Sequence, residues 1–274
     1  GAPQLFRLDH STGASRQLTE AAALDRRFFT LAAGDRSLVY LDGPSLRVLA
    51  INSLKEREIY RVREGWRIVA GLAAPPAKAP VLIVEERDGV CELRAVSLER
   101  RKAETVLHCA GMVDQAILAP GGKELCYVRD GSLRLASADG RWDRAAATAE
   151  GRIWQVFWRP DGEAVLYLLT REDGRREIRE TGARGGADAL VSAATRYAAF
   201  SPNADGSVFA GAIGSAAQPH MVLLLRSVRR ELTICEHRSS RPKEAAPAFS
   251  PDSQRVYFQS DVAGRPAIFS VRLN

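Results

Sequence analysis

The chain repeats one sequence pattern at intervals of about 40 residues, and this repeat constrains the fold more than any other feature. The clearest copies are FWRPDGEAVLYLLTREDGRREIR at 157–179 and AFSPDSQRVYFQSDVAGRPAIFSVRL at 248–273. Weaker copies lie at 117–137 and 199–214. Each copy has an apolar strand end, a turn rich in Pro, Asp, Asn or Gly, a strand, a polar turn and another strand. A repeat of this length and pattern predicts the four-stranded blades of a β-propeller.

The pattern divides the chain into an N-terminal half blade, five full blades and a last segment of only three strands. An open strand edge is prone to pairing with other chains, so we expect the strand at 16–19 to complete the last blade. The fold prediction is an all-β, six-bladed β-propeller that forms a single domain over residues 1–274, with seven blades as the alternative. The half blade lies at 4–19, and the predicted blades are 28–62, 64–108, 113–148, 153–191, 196–237 and 246–273.

The composition is that of a globular protein with a basic surface, with 46% hydrophobic residues, 26% charged residues and a net charge of +6. The charge suits an acidic ligand or an acidic protein partner. Nucleic acid is not expected as a partner, because the chain has no ribonucleoprotein aromatic motif, zinc finger or basic helix. No apolar run approaches the length of a membrane span and no signal peptide is visible. We therefore expect a cytoplasmic protein, or a periplasmic one if a signal peptide has been removed.

The cysteines and histidines show no spacing typical of a metal site or of a disulfide framework. No two cysteines are separated by two residues, and only one histidine, His237, lies on the link into the last blade. The residues alone therefore predict no cofactor. The cysteines are Cys91, Cys109, Cys126 and Cys235, and the histidines are His10, His108, His220 and His237.

Several segments resemble bacterial oligogalacturonide lyases, in that family's order and over most of the chain. They are TGASRQLT (12–19), DRRFFT (25–30), EIYRVREGW (58–66), FWRPDGEAVLYL (157–168), ICEHRSS (234–240) and PAFSPDSQRVYFQSDVAGRPAIFSVRL (247–273). The Ser-Pro-Asp turn alone is also typical of TolB-type propellers and of the propellers of some peptidases. Members of the lyase family usually have seven blades, so the chain resembles a member that lacks one blade near its N terminus.

The resemblance implies β-elimination on short pectin fragments, with a divalent metal such as Mn²⁺ that acidifies the carbon next to a uronate carboxylate, and a base that removes the proton. In the family the metal ligands are a Gln-x-x-His-x-His run and a further His that opens the preceding blade. The Gln position here holds Arg241, and the two His positions hold Glu244 and Ala246. The further His falls near Tyr197, and another family His falls on Gln155. Because every expected imidazole is replaced, we predict that the chain has lost the metal and the metal-dependent elimination.

An acidic oligosaccharide remains the expected ligand, bound at one mouth of the propeller channel. Arg26 and Arg27 align with a basic run at the substrate end of the family, and Arg241 lies on the link into the last blade. Arginine binds carboxylates through two parallel hydrogen bonds. We assign no catalytic residue, and the predicted ligand-binding residues are Arg26, Arg27, Gln155, Tyr197, His237, Arg241 and Glu244.

Two alternative functions remain open. A TolB-like propeller would dock a protein partner through an exposed apolar patch, for which Trp142 and the segment 221–225 are the candidates. An active lyase would need a different set of residues. Away from the site, we expect Asp161 and Asp252 to form turns. We also expect Trp66, Trp154 and Trp158 to pack between blades.

Overall fold

The structure is a computed structural model, and it describes residues 1–9, 11–73, 79–194, 196–215 and 217–273. The chain divides into two compact units, Gly1–Ala145 and Ala146–Asn274. Within the described residues the only helix is a 3-10 turn at Pro242–Glu244. No helix in those ranges has the length and apolar character needed to cross a bilayer.

The first unit contains a two-stranded hairpin and three four-stranded antiparallel sheets, in which strands adjacent in sequence pair with each other. Its strands are β1 (Phe6–Leu8), β2 (Ser15–Gln17), β3 (Leu24–Ala32), β4 (Ser37–Asp42), β5 (Ser45–Ala50), β6 (Glu56–Arg61), β7 (Arg67–Ala73), β8 (Val81–Arg87), β9 (Val90–Val96), β10 (Ala103–Ala110), β11 (Val113–Leu118), β12 (Glu124–Arg129), β13 (Ser132–Ser137) and β14 (Asp143–Ala145).

The second unit contains two four-stranded sheets and a last sheet of three strands. Its strands are β15 (Arg152–Trp158), β16 (Ala164–Thr170), β17 (Arg176–Gly182), β18 (Ala189–Ala193), β19 (Tyr197–Pro202), β20 (Val208–Ile213), β21 (His220–Leu225), β22 (Arg230–Glu236), β23 (Ala248–Phe249), β24 (Arg255–Ser260) and β25 (Ala267–Arg272).

These sheets confirm the predicted repeat, since each predicted full blade contains one four-stranded sheet and the last segment contains three strands. One boundary differs, because β3 begins at Leu24 and not at Phe28. The pairing of β3 with β4 is irregular between Leu24 and Phe29, and this irregular stretch carries Arg26 and Arg27 within the strand. That the whole chain forms a single domain stays a prediction.

The predicted closure of the last sheet by the N-terminal strand is not among the strand pairs of the described residues. β2 pairs with β1, and β25 forms an edge of its sheet. The hairpin is held locally by Asp9, whose carboxylate accepts hydrogen bonds from Ser11 and Thr12. The Ser11 hydroxyl is the main reason why the pKa of Asp9 falls to about 2. The N-terminal strand is thus used by its own turn, which corrects the predicted pairing.

Apolar side chains of neighbouring sheets pack face to face within each unit. In the first unit Val39 and Leu41 of β4 pack with Ile68 of β7 and Ile83 of β8. In the second unit Phe200 packs edge-on between Phe157 and Phe209, with ring centroids 5.1 and 5.9 Å apart. The second strand of each sheet is accordingly buried on both faces, which explains its continuous apolar sequence.

Three sheets fasten their fourth strand with the same polar triad. A Tyr on the second strand lies opposite an Arg on the third strand, and both bind an acid on or just before the fourth strand. In the third sheet Tyr127 Oη donates to Asp143 at 2.8 Å, and Arg134 Nε donates to the same carboxylate at 3.0 Å. Burial raises the pKa of each of these tyrosines, so the hydroxyls stay protonated donors. The triads are Tyr40–Arg47–Glu56, Tyr127–Arg134–Asp143 and Tyr167–Arg179–Asp188.

The Asp residues of the Pro-Asp turns form turns, as predicted. Asp161 accepts from the Glu163 amide at 2.9 Å, and Asp252 accepts from the Ser250 hydroxyl at 2.5 Å and the Gln254 amide at 3.0 Å. The Glu163 amide bond is the main cause of the lowered pKa of Asp161, and the Ser250 hydroxyl of that of Asp252.

These lowered pKa values predict how stability changes in acid. A carboxylate with a lowered pKa in the folded state stabilises the fold above its unfolded pKa of about 3.9, and this contribution is lost as the pH falls through the folded value. We therefore expect the urea midpoint to be steady from about pH 7 to pH 5 and to fall below about pH 4. Asp252→Asn keeps an acceptor oxygen and should reduce the fall. A midpoint that does not change in acid would contradict this prediction.

Candidate functional site

A polar cavity of about 290 Å³ lies beside the link, residues 237–247, that joins β22 to the last sheet. A neighbouring cavity of about 390 Å³ shares Ser239 and Asp261 with it and adds Arg238 and Ser240. The link and the turn after β24 therefore enclose two adjoining polar cavities within the second unit. The first cavity is lined by Ser239, Arg241, Glu244, Gln259, Asp261, Gly264, Arg265 and Pro266.

His237 anchors the start of the link. Its buried ring accepts a hydrogen bond from the Ser239 amide at Nδ1, over 3.0 Å. Nε2 therefore carries the proton and donates it to the Ile213 carbonyl at 3.0 Å. Both ring nitrogens are occupied, so His237 positions the link beside the cavity.

A second anchor joins the link to the turn after β24. The Ser240 amide donates to Asp261 Oδ1 at 2.8 Å, and the Ser240 hydroxyl donates to the other carboxylate oxygen. The hydroxyl is the main cause of the lowered pKa of Asp261. Asp261 therefore stays ionised at neutral pH and holds the two walls of the cavities together.

Two exposed arginines face solvent from the first cavity. The Nη1 atom of Arg241 lies 3.4 Å from Glu244 Oε1, in an exposed pair that contributes little to stability. Arg265 forms no hydrogen bond or ion pair with any other residue in the described ranges. Both guanidinium groups are thus available to an anion that enters the cavity.

Tyr197 is buried on β19, the strand that the 3-10 turn at Pro242–Glu244 contacts. Its hydroxyl donates to Glu231 at 2.8 Å, and burial raises its pKa. Its ring lies against Gly211, where a Cβ would come within 2.8 Å of the ring. The tyrosine thus forms part of the wall of its sheet and does not line either cavity.

The other predicted residues lie on inner strands. Gln155 accepts a hydrogen bond from the Phe200 amide at 3.3 Å, which joins β15 to β19. In the first unit, Arg27 donates twice to Asp25, at 2.7 and 3.0 Å, and Arg26 is exposed. Of the seven predicted binding residues, only Arg241 and Glu244 line the first cavity. The binding role of the other five stays a prediction.

Four polar residues of the cavity were not found by the sequence interpretation: Ser239, Gln259, Asp261 and Arg265. The last three lie at or after the end of β24, around the turn 261–266, which reads as an ordinary hairpin turn in the repeat. A usable signal was available, since this turn and the link carry five of the charged residues closest to the family's substrate end. They are Arg238, Arg241, Glu244, Asp261 and Arg265.

The tryptophans differ from the prediction in two of three cases. Trp158 is buried, as predicted. Trp154 is 47% exposed, with the Arg152 guanidinium 4.2 Å from its ring centroid. Trp66 is held between Arg63 and Arg87, at 3.8 and 4.9 Å. Arginine stacks well on indole, which explains why these two rings lie beside cations and not inside a core.

The two candidate docking patches also differ. Trp142 is 37% exposed and lies near Arg144, whereas Met221, Val222, Leu223 and Leu224 are buried in the core of the second unit. The segment 221–225 is the third strand of a four-stranded sheet, so it is covered on its edges by β20 and β22. It therefore offers no exposed apolar surface.

The residues at the family's metal positions do not fit a divalent metal. Arg241 is a permanent cation with donors only, and Ala246 has no donor atom for a metal. The hydroxyl of Tyr197 is used by Glu231. In the described ranges no three His, Cys, Asp or Glu side chains form a group suited to a metal ion. The donor chemistry thus supports the prediction that the family's metal is not used, which stays a prediction.

The chain is similar to known proteins over nearly its whole length. No family model matches it. It is 22% identical to the oligogalacturonide lyase of Pectobacterium atrosepticum over 320 residues, which covers 98% of this chain and 82% of that protein.

Solved structures show the same fold. A structure of oligogalacturonate lyase in complex with manganese matches with a TM-score of 0.90 at 22% identity and covers 99% of this chain and 83% of that one. The oligogalacturonate lyase of Vibrio parahaemolyticus matches with a TM-score of 0.90 at 21% identity and the same coverage. TolB from Acinetobacter baumannii gives 0.60 at 11% identity, over 85% of this chain and 60% of that one.

These likenesses confirm the predicted fold class, an all-β, six-bladed β-propeller. They also confirm the resemblance to oligogalacturonide lyases, with TolB-type propellers as more distant neighbours.

Proposed function

We propose that this propeller binds an acidic saccharide through Arg241 and Arg265 and does not carry out metal-dependent β-elimination. The observation that supports this most directly is that two exposed guanidinium groups line one polar cavity, and that Arg265 has no acidic partner among the described residues. A uronate carboxylate is a planar anion that an arginine binds with two hydrogen bonds.

The other groups in the cavity suit a sugar. Gln259 and Ser239 offer neutral polar side chains, and the Asp261 carboxylate can accept hydrogen bonds from hydroxyl groups but repels a carboxylate. This arrangement orients a uronate with its acid toward the arginines. The two cavities of about 290 and 390 Å³ fall together within the usual range of small-ligand sites.

Loss of elimination is supported by the residues that replace the family's imidazoles. An arginine, an alanine and a hydrogen-bonded tyrosine stand where metal ligands are expected. A cationic Arg241 at the ligand position repels a divalent cation and attracts the carboxylate directly. The chain would thus keep the recognition of the acid and lose the group that activates the neighbouring carbon.

The double substitution Arg241→Ala with Arg265→Ala tests the binding proposal. We expect wild-type protein to bind trigalacturonate in calorimetry or NMR titration, and the double variant to bind at least about tenfold more weakly, because charge-assisted hydrogen bonds are lost. Arg175→Ala is the matched control, since Arg175 is an exposed arginine that already pairs with Asp173 in a distant turn. Equal binding by the double variant, or equal binding of neutral maltotriose by the wild type, would contradict the proposal.

A second measurement addresses catalysis. Trigalacturonate with Mn²⁺ at alkaline pH should give no ultraviolet absorbance from an unsaturated product. Turnover would restore the active-lyase alternative. Recovery of a stoichiometric protein partner together with no saccharide binding would favour the TolB-like alternative. A cytoplasmic location, with the periplasm as the alternative, belongs to the same proposal.

A further inference from the structure

The last sheet ends on a strand that is interior in every other blade. In the five four-stranded sheets the third strand is covered by a fourth, whereas β25 is a third strand without a neighbour on its outer side among the described residues. Ile268 on β25 is 69% exposed, more than any other large apolar side chain of those residues. The open edge of β25 is therefore both unpaired and apolar.

The other outer strands carry features that prevent further pairing, and β25 carries none of them. β6, β10, β18 and β22 each break register with their neighbour, and β14 has only three residues. Bulges and short strands are the usual protection of sheet edges. β25 pairs with β24 in unbroken register over all six residues, from Arg255↔Arg272 to Ser260↔Ala267. It is thus built as a strand that receives a partner.

The triads show what kind of partner fits. At the position where three sheets place a Tyr opposite an Arg, the last sheet places Phe258 opposite Phe269, with stacked rings 5.8 Å apart. This pair has no group that can bind the acid of a fourth strand. A strand that joins β25 must therefore bring an apolar side chain next to Phe269.

The backbone of β25 shows which groups are free. Leu273 donates to the carbonyl of Gln254, the residue opposite it, so odd-numbered residues of this strand bond to β24. Since antiparallel strands alternate the direction of their backbone groups, Ile268, Ser270 and Arg272 direct their N–H and C=O groups to the open edge.

We propose that a second copy of this chain adds its own β25 antiparallel to this edge, which makes one six-stranded sheet across a two-fold axis at Ser270. In this register Ser270 lies opposite Ser270 of the second copy, and Ile268 lies opposite Arg272. The apolar face matches as well, because Phe269 lies opposite Val271 and both pack on the same core. No two like charges lie opposite each other, and every free backbone group from Ile268 to Arg272 gains a partner.

Sedimentation velocity and a designed disulfide test the dimer. The wild type should shift from monomer to dimer with increasing concentration. Ser270→Pro should abolish the shift, because proline removes an edge donor without removing a bond to β24. Ile268→Lys should do the same without a backbone change, and Val228→Lys is the control, since Val228 is an exposed apolar residue in a turn.

Ser270→Cys should form a disulfide-linked dimer under mild oxidation, because opposed residues of a hydrogen-bonded pair have Cα atoms about 5.5 Å apart, within disulfide reach. Arg272→Cys should not, because it lies opposite residue 268. A wild type that is monomeric at all concentrations, or a dimer unchanged by both Ser270→Pro and Ile268→Lys, would overturn the proposal. Slow hydrogen exchange of the Ser270 amide in the monomer would also overturn it, since another segment would then cover the edge.

Discussion

Replacing Glu85 by leucine should lower the free energy of unfolding by about 3 kcal/mol, measured by urea denaturation at neutral pH. The Glu85 carboxylate is fully buried on β8. It accepts a hydrogen bond from Tyr60 Oη at 2.9 Å and two from Arg63, at 2.8 and 3.0 Å. Arg94 Nε lies 3.7 Å away and has no other hydrogen-bond partner among the described residues.

The size of this effect follows from what the substitution leaves behind. Leucine fills the volume of the glutamate but leaves the guanidinium of Arg94, which is largely buried, with only Glu92 as an acidic partner. Breaking one member of a buried ionic network costs more than the network contributes, because an unpaired charge remains out of water. Tyr60 also loses its acceptor.

Glu104→Leu is the matched control, because Glu104 is an exposed carboxylate of the same sheet that pairs only with Lys102. Its substitution should change stability by no more than about 0.5 kcal/mol. If Glu85→Leu were as mild as Glu104→Leu, the buried network would have no structural role.

Replacing His237 by alanine should lower the free energy of unfolding by about 2–4 kcal/mol. The Ser239 amide and the Ile213 carbonyl would lose their partners, and both lie in buried surroundings. Each orphaned group costs its own desolvation, and the removed ring leaves a cavity beside the link. Trigalacturonate binding should weaken as well, because the link carries Arg241.

His237→Asn separates the hydrogen bonds from the loss of volume. Its side-chain oxygen can accept from the Ser239 amide, so it should recover part of the lost stability. His220→Ala is a control at a partly exposed histidine and should change stability by less than about 0.5 kcal/mol. Full stability of His237→Ala would show that the link is held by other contacts.

The blades could be predicted from the sequence because turns with Pro and Asp mark them at regular intervals. The closure of the last sheet could not, since local carboxylate bonds from Asp9 settle the N-terminal strand within its hairpin. The cavity was half predicted: the resemblance pointed to Arg241 and Glu244, but Arg265 lies in a turn whose contact with the link depends on tertiary packing.

The triads were also missed, although the sequence carries a signal for them. In all three the acid follows the arginine by nine residues, as in Arg47 and Glu56 or Arg134 and Asp143. This spacing is the distance from the middle of a third strand across a turn to the fourth strand. It becomes meaningful only when the register of the sheet is known.

Every triad draws its three side chains from one blade, so the strands of a blade are fastened without help from adjacent blades. A gene segment that encodes a complete blade can then be deleted while the polar ties of the others stay whole. Self-contained fastening of this kind makes propellers tolerant to a change in blade number. It offers a physical route by which a six-bladed protein arises from a longer ancestor.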